Sequence, residues 1–182
     1  MSFTPEPGTP LAVYYDQTLP RVGTVLGRRN LGVLDAVAIG RYAMTIGATD
    51  PLHYDPAAAR LAGYEDVLAP PNMLAAIVEW GVGTPEPQLN RDGTPGDGEM
   101  TIGDAALGLR VMGAGEEMEL INPVVAGMQL VLETTLDAVT PKQARAGECV
   151  FVTTLNTFMS EDGAVLNRNR RTVVLRNPAQ EA

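Results

Sequence analysis

The 182-residue sequence predicts an α+β fold, an antiparallel sheet wrapped around one buried helix. Three observations carry this expectation. Helix-like periodicity is concentrated before residue 80. One of those segments, 72–80, is apolar nearly all round through Met73, Leu74, Ala75, Ala76, Ile77 and Val78, which is the pattern of a helix enclosed by other structure. After residue 106 the period changes to two, and strand follows strand to the C-terminal region.

The elements are read in chain order. Residues 1–20 are rich in proline and show little periodicity, so an extended arm is expected. Residues 22–34 carry Val, Leu and Thr in a strand-like run. Asp35 is placed to cap a helix over 36–46, with Ile39 and Ala43, and Val37 and Met44, at helical spacing. Asp55-Pro56 combines a cap residue with proline at the first helical position and predicts a short helix, 56–62, ending at Gly63. Pro70-Pro71 opens the apolar helix. Residues 81–104 are rich in Gly, Pro and Asp and read as a long loop. Strands are expected around Leu107, Leu109 and Val111, around Met118 and Leu120, over 130–137, 150–158 and 171–176. Gly113-Ala114-Gly115 reads as a bend or bulge. Glu161-Asp162-Gly163 reads as a tight hairpin turn, and Lys142 and Arg145 as loop residues after Pro141. The expected organisation is the arm over 1–20 and a single domain over 21–178.

Bulk properties exclude several functions. The net charge is −9 and the isoelectric point is near 4.5, which argues against nucleic acid as a partner, because phosphate binding needs a basic surface. No apolar run approaches the roughly 20 residues that span a bilayer, so no membrane association is expected. The first residues lack the basic and apolar regions of a secretion signal, which makes a cytoplasmic location the expectation. Cys149 falls in a strand pattern and reads as a small core residue. With one His and one Cys, no metal site and no cofactor are expected.

The candidate chemistry centres on residues 47–55, Gly-Ala-Thr-Asp-Pro-Leu-His-Tyr-Asp, which hold the single histidine, His53. Imidazole exchanges protons near neutral pH, so His53 is the first candidate for acid–base work. Its alternative is a turn histidine bonded to backbone. Asp50, three residues earlier and followed by Pro51, is the second candidate. Its alternative is an Asx turn. Asp55 reads as a cap alone. Glu79 reads as one polar residue near the end of an apolar helix.

Residues 42–55 and the later run Ala69-Pro70-Pro71-Asn72-Met73-Leu74 resemble the MaoC-like (R)-specific enoyl-CoA hydratases and their FAS1-like dehydratase branch. Residues 116–123, Ala126-Gly127-Met128 and Glu161-Asp162-Gly163 fit the same pattern. The resemblance covers about residues 20–176. It implies a hotdog fold, dimerisation, and hydration or dehydration of an acyl-CoA or other acyl thioester. In that family an aspartate directly after the glycine works with the histidine to hold and add one water. Here that position is Ala48, and Asp50 stands where the family has asparagine. The family pattern further implies that the amide of Asn72, at the helix start beside Pro71, polarises the thioester carbonyl. The run Arg168-Asn169-Arg170-Arg171 offers Arg168 and Arg170 for CoA phosphates, with a solvated strand face as the alternative.

Three readings stay open. The chain is a subunit whose site is degraded or completed by a second MaoC-like partner, in a homodimer or heteromer. Alternatively it is a self-sufficient hydro-lyase using His53 and Asp50. In the third it binds acyl-CoA, or serves as a scaffold, without catalysis.

Overall fold

A computed structural model describes residues 3–77, 85–89 and 107–178. Helix α1 (Pro10–Thr18) opens the fold, and strand β1 (Val25–Val33) follows. Next come α2 (Ala36–Thr45), a 3-10 turn (Pro51–His53) and α3 (Pro56–Leu61), then α4 (Met73–Ile77). Four long strands complete the chain: β2 (Arg110–Leu120), β3 (Gln129–Ala144), β4 (Gly147–Ser160) and β5 (Val165–Arg176). They form one antiparallel sheet in the order β1-β3-β4-β5-β2, so β1 and β2 are its edges.

Three local expectations are corrected. Residues 10–18 are helical rather than extended. Thr9 accepts a hydrogen bond from the Ala12 amide through its hydroxyl, Pro10 occupies the first turn, and Leu11, Tyr14 and Thr18 bury one helix face. The segment after Pro141 is strand, because β3 runs on to Ala144 in register with β4. The missing amide of Pro141 is tolerated there because, among the described residues, the backbone of β1 and the residues before it bonds β3 no further than Leu136, leaving that side of the strand open. The pieces around Val111 and Met118 form one strand. Gly113-Ala114-Gly115 is the irregularity within it, where the register with β5 shifts.

On α2, Ile39 and Ala43 are fully buried, whereas Val37 and Met44 are 61% and 72% exposed. Only the first of the two apolar spacings therefore marks the core face. Residue Glu79 lies outside the described residues, as does most of the 81–104 segment.

The helices pack on one face of the sheet, and that face has three zones. At one end Leu130, Leu132 and Phe158 meet Leu34, Ile39, Val67, Met73 and Leu74. At the other, Leu136, Val139, Val150, Val152, Val173 and Leu175 meet Leu11 and Tyr14 of α1. Burying each such side chain stabilises the fold by about 1.5–3 kcal/mol. Between the two clusters the same face presents polar residues, Thr134 on β3, Thr154 and Asn156 on β4, and Asn169 and Arg171 on β5, with Asn167 beside Phe158 at the border of the first cluster. Of these, Thr154 and the three asparagines are buried.

Candidate functional site

The His53 turn is built by backbone hydrogen bonds that the sequence dictates closely. Helix α2 ends in a Schellman motif: Gly47, at φ +70°, donates to Met44 O at 3.1 Å, and Ala48 N donates to Ala43 O at 2.9 Å. Glycine is needed there because a side chain would oppose the left-handed conformation. Asp50 then starts the 3-10 turn, and its Oδ1 accepts from Leu52 N at 2.9 Å. Asp55 Oδ1 accepts from Ala57 N at 2.8 Å and starts α3. Both carboxylates act as local caps, and Asp50 is solvent-exposed.

His53 is half-buried, and its Nδ1 lies 2.7 Å from Leu68 O. A carbonyl oxygen only accepts, so Nδ1 carries the proton. In the neutral ring Nε2 is then the basic nitrogen, with a lone pair available to a water or substrate proton. The Leu68 carbonyl is itself firmly placed. Leu68 N donates to Leu52 O at 2.9 Å, and Leu68 forms a bridge with Val125. On either side of it, Ala69 N donates to Val124 O and Ala126 N to Val67 O. The imidazole is thus oriented by a short ladder next to the apolar cluster that Val67, Met73 and Leu74 join.

Two groups at this site were not singled out by sequence. One is the Leu68 carbonyl. The other is Tyr54, whose hydroxyl donates to Ala48 O at 2.6 Å and whose ring stands edge-on to His53 with centroids 6.4 Å apart. The placement of Tyr54 directly after the histidine was the available signal. Both polar backbone groups of Ala48 are therefore committed to local hydrogen bonds.

The other candidates are placed as follows. Pro71 and Asn72 are exposed at the start of α4, where Met73 N donates to Pro70 O at 3.0 Å. Arg168 and Arg170 lie on the sheet face opposite the helices. Arg168 pairs with Glu119 at 3.1 Å and Arg170 with Asp137 at 3.0 Å. The Asp137 carboxylate also raises the ionisation of Arg170. These two arginines meet acidic neighbours on adjacent strands; no contact joins them to the His53 turn among the described residues. Arg176 donates to Ala146 O, and Lys142 stands over the Phe151 ring. Among the described residues no group of three or more His, Cys, Asp or Glu is placed to hold a metal, and no helix is long and apolar enough to cross a membrane.

A five-stranded antiparallel sheet with its helices on one face, and a histidine-bearing turn held against that core, define a hotdog-type α+β protein. The comparisons give the family. Residues 22–168 match the FAS1-like, dehydratase domain region family. The chain is 30% identical over 156 residues to a Thermomonospora curvata protein named "Probable enoyl-CoA hydratase alpha subunit", covering 82% of this chain and 47% of that protein. It thus spans about half the length of that relative. The fold matches the ChsH1-ChsH2 complex from Mycobacterium tuberculosis with a TM-score of 0.70 at 21% identity, over 94% of this chain and 93% of that one. It also matches a MaoC-like dehydratase from Rhodospirillum rubrum with a TM-score of 0.58 at 26% identity, over 87% and 94%. The chain belongs to the FAS1-like dehydratase region family, a branch of the MaoC-like hotdog proteins.

Proposed function

We propose that the chain is one subunit of a two-component MaoC-like hydratase or dehydratase acting on acyl thioesters, with the reacting Asp–His pair supplied by a second hotdog subunit. One observation carries this reading. Where the family resemblance calls for a carboxylate beside the histidine, the chain has Ala48, and the two nearby carboxylates, Asp50 and Asp55, are engaged as caps. An alanine methyl neither orients nor deprotonates water. The alpha-subunit relative and the two-protein complex among the structural neighbours support the same reading. In this scheme the chain completes the dimer and shapes the acyl site. The Asn72 amide, free of the constraint that removes the N–H of Pro71, is the group on this chain suited to a thioester carbonyl.

A second reading, a self-sufficient hydro-lyase, is favoured by the His53 geometry, because Nε2 is poised as a base. Hydration of a panel of trans-2-enoyl-CoA substrates separates the two. The expected result is no turnover by the purified chain and turnover after addition of a partner with an intact motif. In that complex His53→Ala lowers kcat less than tenfold, well short of the ~10²–10⁴-fold loss of a general base. Turnover by the chain alone that vanishes in His53→Ala establishes the second reading instead.

A further inference from the structure

The polar zone between the two apolar clusters is unusual in what its amides lack. Asn167 and Asn169 are each 1% exposed, and Asn156 is 3% exposed. Asn156 is satisfied in part, since Thr134 Oγ1 donates to its Oδ1 at 2.8 Å. Asn169 donates through Nδ2 to Glu116 Oε1 at 2.6 Å, which fixes the orientation of the amide, because a carboxylate accepts only. Its Oδ1 is then left without a partner, and Asn167 lacks a partner at both Oδ1 and Nδ2. A buried amide without hydrogen bonds is destabilising, and native folds rarely keep one without a use.

These amides are connected to the candidate site through one cluster and one strip of chain. Asn167 is the register partner of Phe158, which belongs to the cluster that Val67, Met73 and Leu74 also join. The strip 121–125 connects the two places. At one end the amides of Ile121 and Asn122 donate to Leu166 O, and at the other Val125 bridges Leu68, the residue that holds His53. Fully extended, such a strip spans no more than about 14 Å.

We propose that Asn167 and Asn169 form a recognition site for an oxygen substituent on the acyl group, distinct from the thioester and the reacting carbons. The demand is for one acceptor, toward Asn167 Nδ2, and for a donor toward the two free carbonyl oxygens. A hydroxyl accepts from Asn167 Nδ2 and donates its one proton to one of the two carbonyl oxygens; a plain alkyl chain does neither and leaves the amides unpaired. The site therefore selects oxygenated acyl thioesters over saturated hydrocarbon ones. This rests on the acyl-thioester reading above.

The test is a binding titration of the protein, alone and with its partner subunit, with dodecanoyl-CoA and its 8-, 10- and 12-hydroxy derivatives. The expected result is that at least one hydroxylated probe binds about tenfold or more tightly than dodecanoyl-CoA. In Asn167→Leu, which keeps the branched shape, that preference disappears while dodecanoyl-CoA binding is retained. The same variant, without ligand, melts roughly 2–4 °C higher because an unpaired amide has been removed. Equal binding of plain and hydroxylated probes by the wild type overturns the inference alone and assigns the amides to internal water. A lower melting temperature in Asn167→Leu also overturns it, since the amide is then a structural bond. No binding of any probe, dodecanoyl-CoA included, overturns both the inference and the reading beneath it.

Discussion

Around His53, Asp50 caps Leu52, Asp55 caps Ala57, the imidazole donates to Leu68 and the Tyr54 hydroxyl donates to Ala48. On β5, by contrast, Asn167 is more deeply buried than any of these and has no hydrogen bond through its side chain. The difference teaches where each site's rigidity comes from. The caps of the turn come from its own neighbours in sequence, and its imidazole is oriented by the Leu68 carbonyl on the ladder with residues 124–126. The amide zone is positioned by strands β2 to β5, and those strands leave the Asn167 side chain unpaired.

Four experiments press on this contrast. The largest effect is expected from Ala48→Asp. The Schellman closure fixes this position, so a carboxylate restored there shares the turn with His53. The isolated chain should gain trans-2-enoyl-CoA hydration of at least ~100-fold over background. Kinetics of Ala48→Asp and of Ala48→Asp with His53→Ala check this, and a folded but silent single variant would remove the turn from the chemistry. Next, Phe158→Ala empties the cluster that joins the two regions and should cost about 3–5 kcal/mol in a urea melt. A cost below ~1 kcal/mol means that the cluster is loosely packed and does not fix Asn167. Asp50→Ala removes only a cap, so about 1 kcal/mol of stability should be lost with turnover of the assembled pair unchanged. Loss of turnover without loss of stability would instead return Asp50 to the reaction.

The smallest effect concerns Asp162. Its carboxyl is held below its ordinary value of 3.8, first by the Ser160 hydroxyl and then by the Ala164 amide. A lowered native value means that this stabilisation is complete above the unfolded value and fades as pH falls through the native one. Asp162→Asn should therefore flatten the acid limb of a stability–pH curve slightly, with no change near pH 7. A change confined to neutral pH would contradict the assignment.

How much of this was legible in the sequence follows from range. Asp35, Asp50 and Asp55 announce themselves because a cap's partner lies two or three residues away and the following helix or proline is visible. Pro141 was misread as the start of a loop because its tolerance depends on where β1 stops pairing, which only the assembled sheet decides. Thr9-Pro10 was a cap signal hidden among prolines. The asparagines of β5 stood in plain view beside arginines, yet their burial and their register partners on β2 and β4 depend on a strand order that no local pattern specifies. The hotdog architecture came from the family resemblance, not from periodicity, which gave only the α+β class.

The two edges of the sheet differ in sign. Strand β1 carries Arg28 and Arg29, and β2 carries Glu116, Glu117 and Glu119. Copies laid edge to edge, basic rim against acidic rim, would propagate head to tail without closing, which is the geometry of a filament. The register breaks at Val25/Gly27 and Asn30/Gly32 on one rim, and at Gly113/Gly115 on the other, interrupt the straight run of hydrogen bonds that such growth needs. Among the described residues, then, the same glycine-marked kinks that shape the two rims also act against their stacking on further copies.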